Sequence, residues 1–301
     1  MSNNKHSLSG YTKIYTLNQL AKSFSKGDYD SACFWSVEMH ISGWIDHWWV
    51  GVTNYCALNI HISNPKIGKF LYKICSDYPA LTGKGDVNAD NIRQSIALVA
   101  GVITFSPKDV EWSIPKPITI PVREEVSILN EITLTRSNNS ALRASLKGDP
   151  QFMIKLMSKM ANCIESMDFY GAIKVISIGL FLDKHKLYKK KIKCCCRAWK
   201  GLDKRYQDSW LLFVWDVLMA ISLTKNMNEI VGSWRAMYIA NCSICQIKTL
   251  MTYIISCIGL LSHKINLNTK CVQNEITINK GCASIDLMYR DVIRNLKKNN
   301  R

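Results

Sequence analysis

Several features that mark common protein classes are missing from this 301-residue sequence. Its longest apolar runs, residues 249–261 and residues 211–223 with Asp216 in the middle, fall short of the roughly 20 residues that a transmembrane helix needs. We expect both runs to form buried helices. The first residues, MSNNKHSLSGYTK, contain no apolar signal segment, so the 12 cysteines are expected to be free thiols in a reducing compartment, the cytoplasm or the nucleus.

Catalytic motifs are missing as well. The sequence contains no G-x-x-x-x-G-K-S/T, G-x-S-x-G or H-E-x-x-H motif, and its six histidines are scattered without ligand spacing. We therefore predict neither a catalysed reaction nor a cofactor. The nearest approach to a metal motif is the CSIC stretch, where Cys242 and Cys245 have zinc-ligand spacing and Cys271 with Cys282 would complete four thiolates. These four are weak candidates, because structural zinc sites usually show two tight pairs, and buried thiols are the preferred interpretation.

Proline is scarce and concentrated in one place. Four of the seven prolines (Pro107, Pro115, Pro117 and Pro121) lie within residues 105–122, and each disfavours helix in the residue before it. Helix-period apolar patterns fill the chain on both sides, whereas strand-like alternation is limited to hints such as EITLT at residues 131–135. The sequence predicts an all-α protein with an N-terminal helical repeat over 1–105, a proline-rich linker or strap with short strands over 106–150, and a C-terminal helical repeat over 151–301.

The two helical halves resemble each other in three blocks. Residues 25–43 align without gaps to residues 165–183, which pairs Asp28 with Asp168 and Ala32 with Ala172. The segment from Asn64 matches the segment from Asp208, and residues near 95–108 match those ending at 264. Recurrence in the same order with slowly growing offsets predicts two tandem, divergent helical repeats. Chance similarity between amphipathic helices is the alternative.

The stretch KGDYDSACFWSVEMHISG, residues 26–43, raises the question of an active site. Asp28 precedes an apolar run as an N-cap would, and we expect Trp35 to lie in the core. Glu38 and His40 are two residues apart, so on a helix they point about 200° away from each other and cannot converge locally. We predict a capped, buried helix in which Glu38 and His40 serve local hydrogen bonds or face solvent.

This stretch carries the pattern G-D-Y-D-S-A-x-F-W-S-x-x-x-H-x-S-G, which resembles the helical collar region of AAA+ clamp loaders and their RarA-type relatives. The matching positions are Gly27, Asp28, Tyr29, Ala32, Phe34, Trp35 and Gly43. The resemblance implies a scaffold or oligomerisation module of a replication apparatus. It departs from the family in lacking the ATPase, since LTGKGD at residues 81–86 has neither the spacing nor the Ser or Thr of an ATP-binding loop.

Charge gives the clearest indication of a partner. The chain has 39 Lys and Arg against 23 Asp and Glu, a net charge of +16, which favours polyanions. Residues 184–205, here named the basic segment, contain a single acid, Asp203, among ten cations and the aromatic residues Tyr188 and Trp199. Cations there would neutralise phosphates, while Trp199 would stack on a base or pack beneath the lysine stems. The predicted nucleic-acid-binding residues are Lys184, Lys186, Lys189, Lys190, Lys191, Lys193, Arg197, Trp199, Lys200, Lys204 and Arg205.

Three function classes remain open. The leading hypothesis is a non-enzymatic helical-repeat protein that binds nucleic acid and acts as a scaffold, as an accessory subunit of a DNA replication assembly. The second class is a structural nucleoprotein that coats RNA or DNA and self-associates. The third is an enzyme hidden by divergence or a basic peripheral membrane protein, with a membrane partner the less favoured. The richness in Lys, Ile and Asn is typical of an AT-rich genome and would suit a large DNA virus of eukaryotes, acting in the host cell or the virion.

Overall fold

The fold is described by a computed structural model covering residues 5–82, 89–109, 130–132, 134–136, 138–185, 194–202, 206–207, 209–242 and 247–299. Residues 110–129, which include Pro115, Pro117 and Pro121, lie outside the described residues. Described helices are α1 Lys13–Lys26, α2 Tyr29–Ile41, α3 Ile45–Asn59, α4 Ile67–Asp77, a 3-10 helix Pro79–Thr82, α5 Asp90–Phe105, α6 Asn139–Ala144, α7 Gln151–Glu165, α8 Phe169–His185, α9 Trp210–Thr224, α10 Asn228–Asn241, α11 Ile247–Ser262 and α12 Glu275–Asn299.

The all-α prediction is confirmed. Within the described ranges no β-strand forms, and the one piece of strand-like pairing is an isolated bridge between His6 and Thr12. The strand hint EITLT is wrong, because residues 130–132 and 134 have helical backbone. Both long apolar runs form buried helices as expected, α9 and α11, whose side chains from Leu211 to Val214 and from Ile254 to Leu261 are at most 4% exposed.

By their contacts, the residues fall into two compact units. Unit 1 comprises Met1–Glu111 together with Asn266–Arg301, and unit 2 comprises Trp112–Ile265. Residues 266–301, which the sequence analysis assigns to the C-terminal repeat, therefore group with the N-terminal residues. The rest of the predicted division into two repeats and a linker stays a prediction.

Unit 1 is completed by its last helix. Helix α12 packs against α5 and α2 within this unit. The approach is close, because a Cβ added to Gly281 would lie 2.3 Å from Tyr29 Oη, and one added to Gly101 would lie 2.7 Å from a side-chain carbon of Ile278. The Tyr29 hydroxyl also donates a hydrogen bond to the carbonyl of Ala97 in α5, at 3.1 Å. Glycine at these two positions thus lets three helices meet around one tyrosine.

Unit 2 is built around α9. This helix packs against α6, α7, α10 and α11. Trp215 of α9 meets Tyr238 of α10 with ring centroids 5.4 Å apart, and Trp234 meets Tyr253 of α11 at 5.9 Å. All four side chains are fully buried. Because α9 is apolar on almost every side, it occupies the centre of this unit and carries the short α6 and the adjoining loops on its surface.

The first aligned block has the same local geometry in both units. Gly27 and Met167 both end a helix in the left-handed conformation, with φ of 71° and 60°. The side chain of Asp28 then accepts from the amide of Ser31 at 3.0 Å, and that of Asp168 accepts from Gly171 at 2.8 Å. The predicted N-cap at Asp28 is confirmed, and its aligned partner caps α8 in the same way.

Candidate nucleic-acid interface

The structure describes only part of the basic segment. Lys184 lies in the last turn of α8, where the backbone alone is described. Arg197, Trp199 and Lys200 lie in residues 194–202, which connect α8 to α9 without regular secondary structure. The remaining predicted site residues lie outside the described residues: Lys186, Lys189, Lys190, Lys191, Lys193, Lys204 and Arg205.

Arg197 is buried in the structure, whereas the predicted phosphate ligands are expected to be exposed. Its side chain is buried, and its guanidinium donates to both carboxylate oxygens of Asp149, at 2.8 and 3.3 Å. A further bond from Nε goes to Asp216 of α9, and one from Nη1 goes to the carbonyl of Cys195 at 3.0 Å. Four directed bonds fill most of the donor capacity of a guanidinium, so Arg197 anchors the segment to unit 2.

The carboxylate of Asp149 is the other half of this anchor. It also accepts from the backbone amides of Leu146 at 2.7 Å and Cys195 at 2.8 Å. Burial alone would raise the pKa of Asp149, but hydrogen bonds from Arg197 and the two amides outweigh it and hold that pKa below its usual range. Asp216 is less compensated, since burial raises its pKa although Arg197 opposes the shift. The buried charges thus form one network around Arg197.

Trp199 and Lys200 follow the anchor at the surface. The indole of Trp199 is half-buried, and the guanidinium of Arg235 in α10 lies over its ring, 4.6 Å from the centroid. Lys200 is exposed, and Gly201 turns the chain with φ of 83°. The backbone amide of Leu202 donates to the carbonyl of Trp199 at 3.1 Å, which closes this turn. Trp199 is therefore not a core tryptophan.

An open cleft of about 710 Å³ runs beside this turn, entirely within unit 2. Its walls come from the C-terminal end of α6, from the turn and from one face of α9. Leu146 and Leu223 are 45% and 63% exposed, so apolar surface faces solvent there. The lining residues are Arg143, Ala144, Leu146, Cys196, Arg197, Ala198, Trp199, Asp216, Met219, Ala220, Leu223 and Thr224.

Positive charge prevails among the described side chains around the cleft. Arg143 and Lys200 are exposed. Asp216 also lines the cleft, but its carboxylate is bound to Arg197. The described surroundings therefore combine apolar walls with one exposed cation in the lining, Arg143, and a second, Lys200, next to Trp199 in the chain.

Sequence reasoning missed the acidic partners Asp149 and Asp216, and it missed two cations, Arg143 in the cleft and Arg235 over the Trp199 ring. A signal for Asp216 was present, because an acid in the middle of a 13-residue apolar run has to find a buried partner. Asp149 gave no such signal, since it lies 48 residues from Arg197 in a polar loop. The basic segment by itself does not indicate which of its cations is buried.

The Glu38 and His40 pair differs from its prediction in another way. The two side chains are both buried, and each contacts a residue distant in sequence. Glu38 is fully buried and accepts from the amide and hydroxyl of Ser9, at 3.1 and 2.9 Å. His40 Nδ1 lies 2.6 Å from the hydroxyl of Tyr289 in α12. Both residues therefore tie α2 to segments distant in sequence, the N-terminal loop and the last helix of unit 1.

The prediction that Trp35 lies in the core is also wrong. It is half-buried rather than in the core, and it packs edge-on against Tyr11, Tyr15 and Phe34 with centroids 5.0–5.8 Å apart. The core tryptophans of unit 1 are instead Trp44, Trp48 and Trp49, which are almost fully buried at the start of α3. An aromatic cluster on the outer face of α2 explains why an apolar pattern alone misassigned Trp35.

The cysteine candidates do not assemble into a described metal site. Cys242 belongs to unit 2, whereas Cys271 and Cys282 belong to unit 1, and Cys245 lies outside the described residues. No cluster of three or more metal-ligating side chains occurs in the part of the chain that the structure describes. Likewise, none of the helices among the described residues is both long and apolar enough to span a membrane.

Comparison with known proteins gives no relative. No family model matches the chain, and neither a curated protein nor a solved structure matches it.

Proposed function

We propose that this chain is a nucleic-acid-binding scaffold protein that contacts phosphates through the basic segment. The observation that carries the proposal is the density of charge, ten cations against one acid in residues 184–205. Such a run self-repels unless an anion neutralises it. With Arg197 committed to the interior, nine cations of the segment are left for phosphate contacts.

The geometry of the described part supports this proposal. Arg197 ties residues 194–202 to the rest of unit 2, and Trp199, two residues further along, lines the cleft. The exposed Arg143 adds a cation from a different element on the same cleft. A surface on which cations from separate elements surround an aromatic ring suits a flexible polyanion.

Binding by this face would be driven largely by counterion release. Each phosphate that a lysine or arginine contacts releases roughly 0.9 of a counterion from duplex DNA and 0.7 from a single strand. Affinity should therefore fall steeply with salt and depend little on sequence. Base-specific contacts are not required for this mode.

The wider role proposed is that of an accessory subunit in a DNA replication assembly, in keeping with the collar-like pattern at residues 27–43. Such a role implies protein partners or self-association and a reducing compartment of a cell or virion. A nucleoprotein that coats RNA or DNA would use the same charge. Binding to a membrane surface is the third hypothesis, with the basic segment facing anionic lipid.

Charge-removal variants test the proposal. Replacing Lys189, Lys190, Lys191 and Lys193 together with Gln should weaken binding similarly for all sequences and should lower the salt slope by about one unit for each phosphate that is no longer neutralised. The matched control removes four exposed lysines elsewhere, Lys22, Lys73, Lys174 and Lys280. Equal reductions in affinity in the two quadruple variants would mean that net charge alone, and not the basic segment, governs binding.

A further inference from the structure

We infer that the cleft beside Trp199 accepts an unpaired base of a single-stranded nucleic acid, stacked on the indole. This inference rests on the proposed function and deepens it, because it specifies single strands as the preferred form. It assigns the phosphates to the exposed cations and the base to the apolar walls. Each step follows from the described side chains of unit 2.

The cleft has the size and chemistry of a base site. Its volume of about 710 Å³ exceeds that of one nucleobase and lies within the range of small-molecule pockets. Leu146 and Leu223 expose apolar surface on its walls. An aromatic base would cover that surface, and the open mouth leaves room for the sugar and phosphate outside.

Trp199 has the position of a stacking platform. Arg235 lies over the ring at 4.6 Å from its centroid but does not line the cleft, whereas Trp199 does. The guanidinium therefore covers one face of the indole, and we assign the opposite face to the base. The cation holds the ring in place from one side and leaves the cleft side for a base.

The cations at the rim select a charged backbone rather than a neutral aromatic ligand. Arg143 lines the cleft from α6, and Lys200 follows Trp199 directly in the chain. Asp216, the one acid among the described residues that line the cleft, already binds Arg197. A phosphate next to the stacked base would therefore meet uncompensated positive charge.

A single strand fits this arrangement better than a duplex. In a duplex the faces of each base are covered by its stacked neighbours, and turning a base out requires a few kcal/mol. A single strand presents those faces without that penalty. The cleft should consequently raise affinity for single strands and leave duplex binding to the cations alone.

Two variants of the cleft test the inference, with the equilibrium affinity for a single-stranded DNA oligonucleotide as the measurement. Trp199→Leu removes the ring, and Ala220→Phe fills the half-buried cleft wall while leaving Trp199 in place. Each should weaken single-strand binding by about 5- to 150-fold, the effect of removing one stacked base, with an unchanged salt slope and unchanged duplex binding. Tyr170→Leu, at an 83% exposed aromatic residue of α8, is the matched control and should bind as the wild type does.

An oligonucleotide of abasic sites identifies the contact as base stacking. It keeps the phosphates and removes the bases, so wild type and both cleft variants should bind it with equal affinity. If both folded variants bind the ordinary single strand as tightly as the wild type, the base site is wrong and the proposed function stands. If the wild type binds no nucleic acid at physiological salt, the proposed function fails and the base site fails with it. Should Trp199→Leu not fold, Ala220→Phe decides.

Discussion

Replacing Arg197 by methionine should destabilise unit 2 strongly. The change leaves Asp149, which is 8% exposed, and the partly buried Asp216 without their shared counter-ion. Removing one partner of a buried ion pair typically lowers the free energy of unfolding by about 3–5 kcal/mol, because the remaining charge stays buried. For a unit of this size each kcal/mol lowers the melting temperature by about 2–4 °C, so a fall of roughly 6–20 °C is expected.

The dependence on pH provides an independent check on this network. The folded-state pKa of Asp149 lies below its unfolded value, so its contribution is fully present above the unfolded pKa, near pH 4, and is lost as the pH falls through the folded pKa. In Arg197→Met the unpaired carboxylate would instead gain from protonation. The stability difference between wild type and variant should therefore shrink as the pH falls, beginning above about pH 4, where the variant's carboxylate binds a proton, and ending where Asp149 of the wild type is protonated.

Urea unfolding with Lys200→Gln as the control tests the assignment. Lys200 is exposed three residues from Arg197, and its replacement should change the free energy of unfolding by less than about 0.5 kcal/mol. If Arg197→Met is as stable as Lys200→Gln but loses nucleic-acid binding, then Arg197 contacts phosphate and the buried network described above is wrong.

Three further predictions concern Glu38, Trp35 and the cysteines. Glu38→Gln should lower the free energy of unfolding by about 1–3 kcal/mol, because a buried carboxylate that accepts two bonds from Ser9 loses an acceptor. Because Trp35 is half-buried, Trp35→Ala should lower the free energy of unfolding by only about 1–2 kcal/mol. A loss above about 4 kcal/mol in urea unfolding would contradict this placement of Trp35. Iodoacetamide at pH 8 should alkylate the exposed Cys196 well before Cys257, because burial raises the pKa of Cys257 far above its usual value. Mass spectrometry that maps early modification to Cys257 would contradict the packing of α11.

The sequence predicts those features that depend on nearby residues. Helical periodicity identifies the all-α class, and the apolar runs of α9 and α11 indicate burial because their composition leaves no polar face. The cap at Asp28 follows from a short polar side chain before an apolar run. Each of these signals lies within one or two helical turns of the residue concerned.

Long-range pairings are the features that the sequence could not supply. Glu38 is satisfied by Ser9, 29 residues away, and His40 by Tyr289, 249 residues away. In the sequence nothing distinguishes Arg197 from the other cations of the basic segment, because its partners Asp149 and Asp216 are distant along the chain. The return of α12 to unit 1 is of the same kind, because its fit depends on small residues meeting Tyr29 rather than on a local pattern.

The central claim, that the basic segment binds nucleic acid, is tested most directly by measuring wild-type affinity across salt concentrations. The ligands are single-stranded DNA, duplex DNA, RNA and anionic lipid vesicles, each titrated with the intact chain. We expect binding to nucleic acids with a logarithmic salt slope of about −0.7 to −0.9 per contacted phosphate, and tighter binding to single strands than to duplex. No binding to any nucleic acid at physiological salt, or tighter binding to anionic vesicles than to every nucleic acid, would contradict the claim.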